Sequence, residues 1–170
     1  MPIPVVTLIG KSGSGKTTLM EGIISELSRR GYRIATVKHH SHSGFEIDQE
    51  GKDSWRHARA GSVHVIIAAP DKIASYRTLK QELLLADIVK EVCEADLILV
   101  EGYKQAGYPS IEVMRSEVGN ELIGTREQRF AVAADFSMAV DIPWFGLDDI
   151  FGISDLIEQR FLNNSKVVPG

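Results

Sequence analysis

Uninterrupted apolar runs alternate along this chain with stretches whose apolar positions recur every three or four residues. Val5-Val6-Thr7-Leu8-Ile9, Val65-Ile66-Ile67-Ala68-Ala69, Leu97-Ile98-Leu99-Val100 and Phe130-Ala131-Val132-Ala133-Ala134 are the continuous runs. Short apolar runs closed by glycine, proline or charge predict strands, over 3–9, 63–69, 96–102 and 130–135. The segments 33–38 and 110–115 predict two further strands, and 72–78 a short one after the Pro70-Asp71 turn. Helical spacing fills the gaps. Leu19, Ile23, Ile24 and Leu27 share one face over 16–30, with Gly31 as the stop. Leu83, Leu84, Ile88, Val89 and Val92 predict an amphipathic helix over 80–94, and 148–162 predicts another at the end. A shorter helix is expected over 54–60, with Asp53 as its cap and Gly61 as its end. The polar stretch from His39 to Asp53 has no period and reads as a long loop, the kind that often carries function.

Helices that recur between wholly apolar strands predict an α/β fold. The expected form is a mostly parallel sheet flanked by helices on both faces, a three-layer αβα arrangement. One domain over 1–163 is expected, with 164–170 as a fraying tail.

Composition narrows the class. At 170 residues, 44% hydrophobic and 25% charged, the chain reads as a soluble globular protein, expected in the cytoplasm. No run approaches the roughly 20 apolar residues that span a bilayer, so no membrane partner is expected. A net charge of −4 gives no global basic field for nucleic acid. The single cysteine, Cys93, excludes an internal disulfide framework and is expected to be a buried thiol.

The chemistry is concentrated at residues 10–18, GKSGSGKTT, directly after the first strand and before the first helix. Gly10, Gly15, Lys16 and Thr17 stand at the fixed places of G-x-x-x-x-G-K-[ST]. A triphosphate needs many converging donors, and backbone N–H groups supply them without bulk. Gly13 and Gly15 permit the required backbone angles, and the following helix adds its unpaired N–H groups. Lys16 is expected at the outer phosphates and Thr17 on a Mg²⁺ ion, with Lys11, Ser12, Ser14 and Thr18 completing the loop. The fold is therefore expected to be a P-loop NTPase. Lys11 stands where dimeric P-loop ATPases and GTPases carry a second lysine that reaches the partner's nucleotide; a solvated lysine is the alternative.

Magnesium needs a carboxylate at the carboxyl end of a neighbouring strand. Glu101 ends the strand over 96–102 and is the candidate; Asp96 begins it, at the wrong end. Asp48 is the preferred acid of the long loop, and residues 39–53 read as a segment that senses the nucleotide. Lys52 and Arg56 offer charge to phosphate or to a second anion. His40 and His42 point the same way on an extended segment and, with His39, line either a nucleotide or partner pocket or an incomplete metal site. His57 and His64 are expected to be structural.

The run KHHSHSGFEIDQEGKDSWRHARAG from Lys38 to Gly61, with DLILVEGYK and the opening loop, resembles MobB, the molybdopterin-guanine dinucleotide biosynthesis adaptor family, which is similar to SIMIBI-type GTPases. The resemblance implies a homodimer that binds GTP with Mg²⁺, hydrolyses it slowly, and assists a MobA-type guanylyltransferase. It also implies that Lys38, His39 and Lys104 stand beside Asp48, Asp53 and Glu101. The N-K-x-D guanine box is missing, and Asp135, at the end of AVAAD, is the candidate to read the base. Two other classes compete: a P-loop small-molecule kinase, and a nickel-type metallochaperone GTPase suggested by the histidines.

Overall fold

Every strand of the larger sheet runs parallel to its neighbours. The computed structural model describes residues 2–40 and 44–163. The chain divides into two compact units, Met1–His39 with Leu84–Gly170, and His40–Leu83. The span 1–163, expected as one domain, is shared between these two units; His42 and the tail over 164–170 lie outside the described residues.

The first unit holds β1 (Val5–Ile9), β2 (Ile34–Lys38), β5 (Leu97–Glu101), β6 (Ser110–Met114), β7 (Arg129–Ala134) and β8 (Trp144–Phe145), ordered β2-β5-β1-β6-β7-β8. Its helices are α1 (Lys16–Arg29), the short α3 (Leu85–Ile88) and α4 (Ile150–Ile157), which runs on as a π-helical turn over Glu158–Leu162. The second unit holds α2 (Asp53–Arg59) and an antiparallel hairpin of β3 (His64–Ala69) and β4 (Lys72–Arg77).

Alternate residues of the parallel strands feed opposite faces. Val6, Leu8, Leu97, Leu99, Ile111 and Val113 pack under Leu19, Ile23 and Leu27 of α1 and Ile153 and Ile157 of α4. Each such side chain, fully removed from water, stabilises the fold by about 1.5–3 kcal/mol. Val5, Ile98 and Val100 face the other way, under Leu85 of α3, Val92 just before β5, and Tyr103 and Tyr108 in the loop after it. The sheet is thus covered on both faces, but by unequal layers.

The unequal layer is where pattern reading fails. The helix expected over 80–94 is only α3 and a single 3-10 turn, Val89–Glu91. Leu84 is extended and 71% exposed rather than inward. Leu85 instead drops into the core, and Val89 and Val92 pack beside it, so the face is covered without a longer helix. Glu94 adopts φ 55°, which ends any helical path, and Cys93 is exposed, not buried. Asp53 is the first helical residue of α2 rather than its cap; Lys52 holds that position and makes no side-chain cap bond. The carboxylate still sits in the first turn, where the helix dipole favours it. The two-residue strand β8 was too short to leave a pattern.

Strand order fixes the site. β1 lies between β5 and β6, pairing Leu8 with Glu101 and Ile9 with Glu112. β5 in turn pairs Glu101 with Lys38 of β2. The carboxyl ends of β2, β5, β1 and β6 therefore meet along one edge, at the loop that follows Ile9.

Candidate functional site

Residues 10–15 turn from β1 into α1 through glycines with positive φ, 78° at Gly13 and 94° at Gly15. Only glycine adopts such angles without cost, and they are the angles that a backbone nest around an anion requires. Gly10 is required for a different reason: a Cβ there would strike the carbonyl oxygen of Val113 on β6.

Gly15 is the N-cap of α1, so no side chain caps the helix, and no acidic residue occupies its first turn. The first-turn N–H groups and the positive end of the dipole are left to an anion. Lys16 bends back over the loop, its ammonium donating to the carbonyls of Gly10 at 3.0 Å and Lys11 at 2.7 Å. Burial holds its pKa below the usual lysine value, the charge of Glu101 opposing the shift and that of Lys38 adding to it. Two of its three donors are spent on the loop.

The Thr17 hydroxyl donates to Glu101 Oε2 at 3.0 Å, and Lys38 Nζ lies 3.3 Å from Glu101 Oε1. A hydroxyl and a carboxylate side by side at the first turn of α1 form an all-oxygen pair of the kind Mg²⁺ takes. The strand ends around them are stitched together: the N–H of His39 donates to the Glu101 carbonyl at 2.9 Å, and that of Gly102 to the Leu8 carbonyl at 3.0 Å. His39 packs on Tyr103, rings 4.3 Å apart, and Gly102 leaves room for it, since a Cβ there would lie 2.9 Å from that of His39. Lys104 is exposed just beyond.

Lys11 reaches Glu121 of its own chain at 3.5 Å. Asp135, at the end of β7, takes the N–H of Ser116 at 2.7 Å and its hydroxyl at 3.2 Å, so it pins the turn after β6. The carboxylate keeps free lone pairs, two of its four or so being used.

Gly10 through Thr18, Lys38, His39 and Glu101 are thus gathered in the first unit. His40, Asp48, Lys52, Asp53 and Arg56 belong to the second. There Asp48 accepts from Tyr76 at 2.7 Å, Ser54 at 3.1 Å and the N–H of Gln49 at 2.8 Å. Led by the Tyr76 hydrogen bond, these donors hold its carboxyl below the ordinary aspartate value. Asp53 pairs loosely with Arg56 at 3.7 Å, and the His40 ring stands 5.7 Å from that of Phe45. His57 and His64 are exposed. Among the described residues, no three His, Cys, Asp or Glu side chains converge as a metal site, and no helix is long and apolar enough to cross a membrane.

Sequence reading missed Arg115 and Glu121. Both flank the loop only because β6 lies beside β1, an adjacency that no local pattern carries.

The model of the family described as molybdopterin guanine dinucleotide synthesis protein B, MobB, matches residues 5–135. The molybdopterin-guanine dinucleotide biosynthesis adapter protein of Haemophilus influenzae is 38% identical, over 92% of this chain and 89% of its own. The Escherichia coli protein of the same name is 32% identical, over 92% of this chain and 93% of its own. The crystal structure of Bacillus subtilis MobB superposes with a TM-score of 0.78 at 26% identity, over 95% of this chain and 99% of that one. The mostly parallel sheet, the loop after β1 and these likenesses agree: this chain is a member of the MobB family, with an α/β fold of the P-loop NTPase kind.

Proposed function

We propose that this chain is a GTP-binding adapter of molybdopterin guanine dinucleotide synthesis, which acts on a MobA-type guanylyltransferase rather than performing the transfer itself. One observation carries the reading: the uncapped, glycine-built start of α1, with Thr17 against Glu101, in a chain whose curated relatives are named adapters of that synthesis. The loop suits a phosphate chain, and the Thr17–Glu101 oxygen pair suits Mg²⁺. Guanine is the base that the relatives' names carry, and Asp135 keeps lone pairs with which to accept its N–H groups.

Hydrolysis by the isolated chain is slow in this reading, since the adapter role asks the loop to hold nucleotide rather than to turn it over. A homodimer is supported by the second unit, where Ile66, Ile67 and Ile73 of the hairpin are exposed, an apolar surface of the sort that seeks a partner.

Titration of GTP against ATP with Mg²⁺ tests the ligand. The role is tested by combining molybdopterin and limiting GTP with this chain alone, the transferase alone, and both. Dinucleotide output should rise only when the two are combined. Product from this chain alone, or no effect on the transferase, would overturn the adapter reading.

A further inference from the structure

Two buried polar atoms beside the phosphate loop have nothing to bind. Nε of Arg115 and Oγ of Ser14 are both buried without a hydrogen-bond partner. They line the same narrow crevice, with Gly10, Lys11 and Val118, between the loop and the turn after β6.

Arg115 follows the last residue of β6, and its guanidinium lies along the loop. Its Nη2 would stand 3.2 Å from a Cβ at Gly15. Its backbone is held firmly: its carbonyl accepts from Val118 at 2.9 Å and Gly119 at 3.1 Å, and Asp135 holds the next N–H. The side chain has no such ties. A guanidinium carries five donors and a permanent charge, and a buried donor of that kind is retained at a cost unless something pairs with it.

Among the described residues no acid pairs with the Arg115 guanidinium, and those around it face other partners. Glu112 serves Arg129 Nε at 2.7 Å and the N–H groups of Ile123 and Gly124. Glu121 faces Lys11, and Asp135 is bound to Ser116. Arg129, one strand over, shows what a structural arginine looks like here: 9% exposed, with both Glu112 and the Gly124 carbonyl as acceptors. Arg115 has neither.

Resting on the phosphate-loop assignment, we propose that Arg115 is a binding residue for the phosphate chain, its guanidinium pairing with a phosphate oxygen at the Gly15 end of the loop. The loop then presents two cations of different character. Lys16 is a point charge partly spent on carbonyls, whereas Arg115 is a planar fork suited to phosphate oxygens. The contact is blind to the base, because it reads phosphate.

The test titrates the full chain with GTP, ATP and tripolyphosphate, each with Mg²⁺, in the unaltered protein, Arg115→Lys and Arg115→Gln. Arg115→Gln should weaken all three ligands by roughly ten- to a hundredfold, with Arg115→Lys intermediate and the GTP-to-ATP ratio unchanged. A Gln variant that melts earlier yet binds tripolyphosphate like the unaltered protein would make Arg115 a support of the crevice only. A loss confined to GTP would make it a base contact. Either result overturns the proposal. Should Arg115→Gln fail to fold, the Nε–H resonance of Arg115, assigned by its disappearance in Arg115→Lys, must shift when tripolyphosphate saturates the unaltered chain; an unmoved signal is equally fatal. Equal, Arg115-dependent binding of ATP and GTP would sink the guanine reading alone.

Discussion

The hydroxyl of Thr17 and the carboxylate of Glu101 meet at 3.0 Å, although 84 residues separate them. The parallel pairing of β1 with β5 brings them together, because it sets the end of one strand beside the loop that ends the other. Asp96 lies at the far end of β5, where it takes the Arg33 N–H at 2.7 Å and its guanidinium at 2.9 Å. Glu101→Gln should therefore weaken the Mg²⁺-dependent part of GTP binding by about 10–100-fold, as loss of a metal-sphere carboxylate does. Asp96→Asn should leave affinity alone and cost about 1 kcal/mol of stability. Calorimetric titration with and without Mg²⁺ separates the two, and equal effects would refute the assignment.

Lys16 offers a cleaner division between binding and folding. Its ammonium donates to two carbonyls of the loop, and Lys16 is only partly buried. Lys16→Ala should reduce GTP affinity by more than about a hundredfold, the scale of losing charged hydrogen bonds to phosphate. Its melting temperature and circular dichroism should stay close to those of the parent. A folded variant with unchanged affinity would show that the nucleotide binds elsewhere.

Gly10 tests the loop's packing instead of its charge. A methyl group there would strike the Val113 carbonyl oxygen and come within 2.7 Å of Ser14 Oγ. Backbone and a buried hydroxyl have little room to retreat, so Gly10→Ala should destabilise by about 1–3 kcal/mol. Gly31, with φ 90° and nothing within 4 Å of a Cβ, should lose less on the same change. Chemical denaturation of the two variants gives the order.

At the other end of the molecule, Glu26 takes Arg29 Nε and Nη2 and Arg30 Nε, each at 2.8 Å, and these hydrogen bonds, Arg29's first, depress its pKa to about 2. A depressed carboxylate stabilises the fold above its unfolded value of about 4.5. That contribution is lost as pH falls from there towards about 2. Glu26→Gln should be less stable than the parent at pH 6, and the gap should close on acidification. A gap that persists at low pH would mean the side chain acts by packing.

How much of this was legible follows the range of the forces involved. The phosphate loop is a local device, so Gly13, Gly15, Lys16 and Thr17 could be read from spacing, as could strands apolar on both faces. Glu101 was legible because strand direction alone places it at the loop end. The layer over 80–94 was not, because a run such as Leu83-Leu84-Leu85 fits a helix and an irregular cover equally well; only the sheet beneath decides that Leu85 turns in and Leu84 out. Cys93 was expected to be buried because free cysteine is usually core, and the irregular cover leaves it exposed. Arg115 and Glu121 were invisible for a third reason: their neighbours are set by sheet order.

Asp48 is where sequence and structure press differently. Its place in the long loop after β2, and the family resemblance, make it a candidate acid for the metal, and within its own unit it is the acceptor that joins α2 to the hairpin, through Ser54 at 3.1 Å and Tyr76 at 2.7 Å. The Asp48 bond, followed by burial, raises the Tyr76 phenol to about 12. A raised phenol pKa favours the protonated form in the fold, so this contribution is whole below the unfolded value of about 10 and fades as pH climbs towards 12. The Asp48 side has the opposite sense: a depressed carboxyl stabilises above the ordinary aspartate value and loses that contribution on acidification. Asp48→Asn should therefore let Tyr76 ionise nearer 10, seen as one tyrosine moving in an ultraviolet titration compared with Tyr76→Phe. The same variant should loosen amide exchange protection in β3 and β4 while leaving β1 and β5 as they were. A tyrosine titration unchanged by Asp48→Asn would show that burial alone raises the phenol, and would free Asp48 from its structural duty.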